Sequence, residues 1–197
     1  MTPVSPLGLR ILTGRFIALE PLEERHHDSL LKAAADPETW TYIPIDPNEG
    51  FTKRLPWMVK ENAEGRFLTF VVRRLHDDAI VGSTTYLNIA SADAKVEIGF
   101  TWYTADVRGG PTNPEAKYLL LKNAFGANYN RVEFKTDAKN ARSRAALLKL
   151  GASEEGTLRG HMWMPQGYFR DSVYFSVLAA EWPVVGASLE KRLAAYA

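Results

Sequence analysis

The stretch from Phe67 to Glu115 constrains the fold most, because its pattern changes from strand to helix across one Gly- and Pro-rich loop. Phe67 to Arg73 is apolar and β-branched, His76-Asp77-Asp78 makes a turn, and Ala79 to Ile89 carries Ile80, Val81, Thr84, Thr85 and Tyr86. Lys95 to Thr104 alternates loosely through Val96, Ile98, Phe100 and Trp102. Three successive strands with short connections predict an antiparallel meander. Asp106 to Asn113 then leads into a strong helix, Pro114 to about Ala127. Asn113 is the expected N-cap, Pro114 suits the first helical position, and Glu115 suits the positive end of the helix dipole.

The remainder extends the alternation. Phe16 to Glu20 reads as a first strand ended by Pro21, and Leu22 to Ala35 as a helix stopped at Asp36-Pro37. Trp40 to Pro47 is an aromatic, proline-stiffened loop, followed by a helix over Gly50 to Ala63 in which Pro56 must begin a turn or a kink. Val132 to Thr136 is a short strand. Asn140 to Leu150 is a helix that Gly151 stops as a left-handed cap. Glu154 to Met162 and Asp171 to Leu178 are strands around a turn at Pro165-Gln166-Gly167, and a terminal helix starts at Glu181. This order predicts an α/β (α+β) layered fold, read as one domain over residues 1–197.

Composition narrows the function classes. The 24 Lys and Arg nearly balance 23 Asp and Glu, so no general field draws in nucleic acid or an anionic membrane. The absence of cysteine removes disulfides, thiolate metal sites and a Cys nucleophile. His26, His27, His76 and His161 lack metal-ligand spacing, and there is no G-x-S-x-G elbow. With no signal-like N-terminus and no span-length apolar run, a cytoplasmic location is the default expectation.

The loop Arg108-Gly109-Gly110-Pro111-Thr112-Asn113-Pro114-Glu115 follows a strand and opens a helix. Glycines let backbone approach an anion, and the first N–H groups of a helix point outward at its positive end. That geometry fits a pyrophosphate, with Arg108 adding a charge-assisted bond. The same residues also make an ordinary turn. Neither the P-loop nor the dinucleotide fingerprint is present.

From here on the sequence resembles the GNAT N-acetyltransferases, in the branch of the ribosomal-protein N-terminal (Rim-type) acetyltransferases. The family's phosphate loop reads Gln/Arg-x-x-Gly-x-Gly/Ala; here Arg108 takes the first place, Pro111 the fourth and Asn113 the sixth. Val96 to Trp102, Asn113 to Leu121, Lys135 to Gly151, and Arg170-Asp171 to Trp182-Pro183 carry the resemblance further. Pro111 departs from the family's glycine and removes one N–H. The amides of Gly109, Gly110, Thr112 and Asn113 are left to form a nest around the anion.

The resemblance implies a largely antiparallel sheet with a splayed cleft for acetyl-CoA (coenzyme A), and direct N-acyl transfer to a primary amine. Trp102 and Tyr103, on the strand before the loop, are expected to offer backbone to the pantetheine arm and to polarise the thioester carbonyl. The side chain of Trp102 alone reads as core. Asn140 is implied as a pantetheine ligand and Ser143 as the acid that protonates the leaving thiolate; without the resemblance they read as an N-cap and a surface serine. An alkyl amine has a pKa near ~10, so a base is required. Glu97 is the first choice, as a carboxylate among apolar neighbours with its pKa raised toward neutrality, against the competing reading of a solvated or salt-bridged strand Glu, and with Asp171 and Asp46 as alternatives. Lys135, Lys139, Arg142, Arg144 and Lys149 form a basic cluster that is either a solvated face or a reach toward the CoA 3′-phosphate.

The resemblance implies that the acceptor enters between Trp40, Tyr42, Ile43, Pro44 and Asp46 on one side and Tyr168, Phe169 and Tyr174 on the other, residues that otherwise read as a packed lid. A protein N-terminus, an amino acid, a polyamine and an aminoglycoside remain open, as does succinyl in place of acetyl. The resemblance implies a homodimer. Two rival classes stand beside the enzyme: a non-catalytic acyl-CoA-binding sensor, and a structural domain with a degenerate loop.

Overall fold

The expected meander forms at the middle of one eight-stranded sheet. The structure is a computed structural model, and it describes residues 3–46 and 49–196. In chain order the elements are β1 (Leu12–Thr13), β2 (Ile17–Pro21), α1 (His27–Ala33), α2 (Gly50–Ala63), β3 (Leu68–Arg74), β4 (Ile80–Ala90), β5 (Lys95–Tyr103), α3 (Thr112–Gly126), β6 (Arg131–Asp137), α4 (Ala141–Leu150), β7 (Ser153–Met164), β8 (Tyr168–Leu178) and α5 (Trp182–Ala194). The strand order is β1-β2-β3-β4-β5-β6-β8-β7. Every pairing is antiparallel except β5 with β6, which run parallel.

The middle of the sheet is buried on both faces. Phe70, Val72, Val96, Ile98, Val132 and Phe134 meet Leu120, Leu121, Leu147 and Leu189 of α3, α4 and α5 in one core. Val71 and Trp102 meet Leu30, Phe51, Leu55 and Met58 of α1 and α2 in the other. Alternation along β3 explains why Val71 parts from its neighbours. In β5 simple alternation fails: Val96 and Ile98 face the first core, yet Trp102 faces the second. The cause is a bulge. Pairing steps from Thr85↔Gly99 to Ser83↔Trp102, so Phe100 and Thr101 share one opposing position, and Phe100 sits at φ 45°. One extra residue inverts every side chain that follows it.

Several boundaries differ from the sequence expectation, each for a local reason. The helix expected over 22–35 is a 3-10 turn (Glu24–His26) followed by the short α1, because the Glu23 N–H donates to His26 Nδ1 at 3.1 Å. Asp36 caps a second 3-10 turn, Pro37–Trp40, by accepting from Glu38 N at 3.0 Å. The loop expected over 40–47 ends on Pro47, which lies outside the described residues. α2 runs unbroken through Pro56: both Pro56 and Thr52 are exposed, so the carbonyl left without a donor belongs to a water-facing residue.

The α3 start requires a correction. Helix begins at Thr112, with Pro111 rather than Asn113 at the cap, so Pro114 is the third helical residue and not the first. Pro111 enters at φ −73°, ψ −17°, already helical, and Pro114 is tolerated because an N–H there has no acceptor within the helix.

Candidate functional site

β5 and β6 pair over Lys95–Glu97 and Arg131–Glu133, and then part. Beyond Glu97 the β6-facing edge of β5, through Tyr103, has no strand to bond. A wedge opens there, at the carboxyl ends of two parallel strands. β5 leads into α3 and β6 into α4, so both helix starts flank the mouth.

The side chain inside the wedge escaped sequence reasoning. Lys117 of α3 reaches between the parted strands: its Nζ donates to Thr101 Oγ1 of β5 at 2.9 Å and lies 5.4 Å from the Phe134 ring of β6. Thr101 is tied in turn to Thr84 at 2.8 Å. Burial lowers the Lys117 pKa to about 7, since no counter-charge offsets the lost hydration. In sequence Lys117 looks like any solvated helix lysine, and only tertiary packing marks it.

At the α3 start the orphan amides are those of Thr112 and Asn113, because Glu115 N already donates to Pro111 O at 2.9 Å and Pro114 has no N–H. Gly109, at φ 83°, brings the loop round toward them. Gly110 N is partly spent on Val107 O at 3.4 Å. Of the four expected nest amides, Gly109, Thr112 and Asn113 therefore have no backbone acceptor among the described residues. The Arg108 guanidinium turns away from the loop. Its Nε donates to Tyr103 O at 3.1 Å, and another nitrogen to Thr39 Oγ1 at 2.7 Å with Asp36 at 3.6 Å. It fastens the end of β5 to the Pro37–Trp40 turn. Tyr103 is half-buried against the first core, and its buried hydroxyl, without a partner, has a raised pKa. Trp102 is only 4% exposed and packs edge-on against Trp40 (5.2 Å) and Phe51 (5.3 Å), so its side chain is core and its backbone is what faces the wedge.

At the α4 start Asn140 Oδ1 accepts from Ser143 N at 3.0 Å, as an N-cap does. The same turn holds the half-buried Ser143 hydroxyl near the end of β6. Gly151 ends the helix at φ 96°, as its sequence position predicts.

Over β6 and β8 the face opposite α3 is polar. Glu97 is buried, but its neighbours are polar rather than the expected apolar ones: Asn88 Nδ2 donates at 2.8 Å and Lys135 Nζ pairs at 3.5 Å. Lys135 also lies over the Tyr174 ring, whose hydroxyl is 3.4 Å from His161 Nε2. His161 Nδ1 meets Ser172 Oγ at 2.9 Å. Partial burial, then the cations Lys135 and Arg170, hold the His161 pKa below its ordinary value, so at neutral pH it is an uncharged imidazole able to accept a proton. Sequence reading weighed this histidine only for metal spacing. Asp171, an alternative base, is exposed and accepts from Gly160 N at 2.7 Å.

A pocket of about 360 Å³ joins Trp40 and Tyr42 to Tyr168, Gln166 and Lys139. Gln166 Nε2 clamps the two sides, 2.9 Å from Trp40 O and 3.1 Å from Ile43 O. Tyr168 donates to the buried Asp137 at 2.5 Å, and Lys139 lies 4.1 Å over its ring. The expected acceptor residues thus divide. Trp40, Tyr42 and Tyr168 share this pocket, Tyr174 sits with Glu97, and the exposed Phe169 packs on Trp163 instead. Asp46 is half-buried on the loop before α2. The basic cluster is dispersed as well: Lys135 pairs with Glu97 and Arg144 with Glu154, while Arg142 and Lys149 are exposed.

Among the described residues no group of acidic, histidine or cysteine side chains has a metal-holding arrangement, and no helix is long and apolar enough to cross a membrane. Residues 17–153 match the acetyltransferase (GNAT) domain family. The chain is 31% identical over 109 residues to YdaF of Bacillus subtilis (strain 168), provisionally named a ribosomal N-acetyltransferase. That match spans 55% of this chain and 58% of the relative's length. In three dimensions it superimposes on a GCN5-related N-acetyltransferase from Brucella melitensis with TM-score 0.89 and 28% identity, over 97% of this chain and 89% of the other. Mycobacterium smegmatis RimJ, solved in complex with CoA-disulfide, shares the fold with TM-score 0.77 at 24% identity, over 93% and 92% of the two chains.

Proposed function

Because this chain belongs to the acetyltransferase (GNAT) family, we propose that it transfers an acyl group, acetyl in the simplest case, from acyl-CoA to a primary amine in a ternary complex, working as one domain. The observation that carries this reading is the wedge: a β5 edge with no strand beside it, ending at a helix start with unspent amides. These features fit the donor. The free edge from Ile98 to Tyr103 offers alternating donors and acceptors to the amide-bearing pantetheine arm. The amides of Gly109, Thr112 and Asn113 suit its pyrophosphate, at the positive end of α3. The relationship to RimJ supports the same ligand. When bound, acyl-CoA supplies a carbonyl activated as a thioester.

The chain's own groups do the rest. A backbone N–H of the β5 edge polarises the carbonyl. Glu97, paired with Lys135, takes the ammonium proton directly or through a water, with His161 on the same face as a second acceptor. Ser143 delivers a proton to the departing sulfur, held in place by the Asn140 cap. The amine enters by the Trp40–Tyr42–Tyr168 pocket, whose aromatic walls suit an apolar group beside the nitrogen. The likeness to YdaF, provisionally named a ribosomal N-acetyltransferase, favours a protein amine among the acceptors.

Three measurements test this. Titration of CoA should show saturable binding, and acetyl-CoA with a library of amines and N-terminal peptides should release free thiol. Ser143→Ala should lower kcat by roughly 100-fold, within the usual range for a general acid, with little change in CoA affinity. No CoA binding at millimolar concentration sinks the reading, and an unchanged kcat removes Ser143 from it.

A further inference from the structure

α2 sets the half-buried Arg54 against the second core. Arg54 lies with its guanidinium carbon 3.8 Å from the Trp57 ring centroid and 4.6 Å from that of Phe100. Apolar side chains form the rest of the small, partly open pocket that it lines, among them Trp40, Ile43, Met58 and Trp102. Its Nε is buried without a hydrogen-bond partner among the described residues. The carboxylate that most influences it, Glu61, is already held bidentately by Arg66 at 2.5 and 2.6 Å. Among the described residues no carboxylate forms an ion pair with Arg54.

A guanidinium so placed is unusual on two counts. Stacking on two rings fixes its plane and offsets part of the burial cost, but leaves the edge of the fork, where its N–H donors lie, unspent. Burial brings its pKa down to about 10, which still leaves it charged at neutral pH. An unpaired buried donor on a charged group is costly, and a planar two-oxygen anion is the partner that satisfies it best.

The pocket's position indicates where that anion comes from. Phe100 and Trp102 lie on the bulged stretch of β5, whose free edge is the proposed seat of the thioester. Their side chains face α2, which sets the Arg54 guanidinium beside the bulged stretch of β5. The acceptor pocket shares Trp40 with it but is lined otherwise by different residues, among them Tyr42, Gln166 and Tyr168.

We propose that Arg54 receives a carboxylate at the far end of the donor's acyl group, so that the preferred donor is a dicarboxylic acyl-CoA of the succinyl type rather than acetyl-CoA. This rests on the acyl-CoA reading above and specifies its acyl group. The reaction stays balanced: the amine nitrogen forms the amide bond, the carbon–sulfur bond breaks, CoA leaves as the thiol, and the distal carboxylate is unchanged.

Dissociation constants for acetyl-CoA and succinyl-CoA, measured by calorimetry without acceptor, test it. The wild-type chain should bind succinyl-CoA at least about tenfold more tightly, the yield of one charge-assisted contact. Arg54→Met should bring the ratio close to one, and Arg54→Lys should retain part of it. Should Arg54→Met fail to fold, as a thermal melt will reveal, the wild-type and Arg54→Lys ratios decide. Equal affinities in the wild type, or a wild-type preference that Arg54→Met leaves intact, overturn the proposal. So does a carboxylate preference that appears only when the acceptor amine is varied. Failure of both thioesters to bind would instead remove the acyl-CoA reading, and this inference with it.

Discussion

At the start of α4, Asn140 caps its own helix by accepting from Ser143 N, so that turn is complete within four residues. The start of α3, on the other side of the wedge, is built differently. No side chain caps it, two prolines remove donors, and the nearby carboxylate turns away. Glu115 accepts from the amides of Arg15, Phe16 and Ile17 at 2.7 to 2.8 Å, about a hundred residues back along the chain. Capping and ligand binding compete for the same orphan N–H groups. A self-capped helix presents its side chains; an uncapped one presents its backbone. This difference suits α4 to deliver Ser143 and α3 to hold an anion.

The comparison breaks first at Glu115. Replacing it by alanine strands three backbone N–H groups at the entry to β2, and stability should fall by more than about 3 kcal/mol, read as a drop in the urea midpoint. Gly14→Ala should act on the same contact, since a Cβ there would stand 2.3 Å from the Glu115 carboxyl carbon. The two changes together should therefore cost less than their sum. If Glu115→Ala is mild, the carboxylate is not what anchors α3.

Lys117 gives the next effect, with a sign fixed by linkage. Its folded pKa, about 7, is below its unfolded value, so between roughly pH 7 and 10.5 the unfolded chain binds a proton that the folded chain does not. Its contribution to stability should therefore rise with pH through that window and level off below it. Lys117→Met should flatten this slope and stabilise the fold at pH 7 by roughly 1–4 kcal/mol, as when a buried charge is replaced by an apolar side chain of similar volume. Urea titrations across the pH range provide the check, and an unchanged slope would show that the amine is hydrated.

Asn140 gives the smallest and most discriminating effect. Asn140→Ala should cost about 1 kcal/mol as a lost cap, whereas Asn140→Asp should keep the cap and stay within about 0.5 kcal/mol of the parent. If the carboxamide N–H₂ also binds the pantetheine, Asn140→Asp should weaken CoA binding while leaving the melt unmoved. Equal CoA affinities for Asn140→Asp and the parent would leave Asn140 a cap alone.

Much of the fold was legible because it is local. The meander, both ends of α2, and the Asn140 and Gly151 limits of α4 depend on residues a turn apart. β1 was missed because Leu12–Thr13 is too short to carry any period. In the site, the order of a Glu97 strand, an Arg108 loop and an Asn140 helix start was readable, but the partners were not. Asn88 and Lys135 reach Glu97 from β4 and β6, and no spacing rule connects them.

The sequence by itself determined the order of elements from β2 onward, the turns between them and the cap of α4, all set by bonds closed within a few residues. Tertiary structure decided which face each group serves. The Phe100 bulge turned Trp102 into the second core, β6 and α3 enclosed Lys117, and the Pro37–Trp40 turn claimed Arg108. The physical reason is that burial and charge pairing are properties of neighbours in space: the same lysine or arginine is solvated or desolvated according to what folds against it.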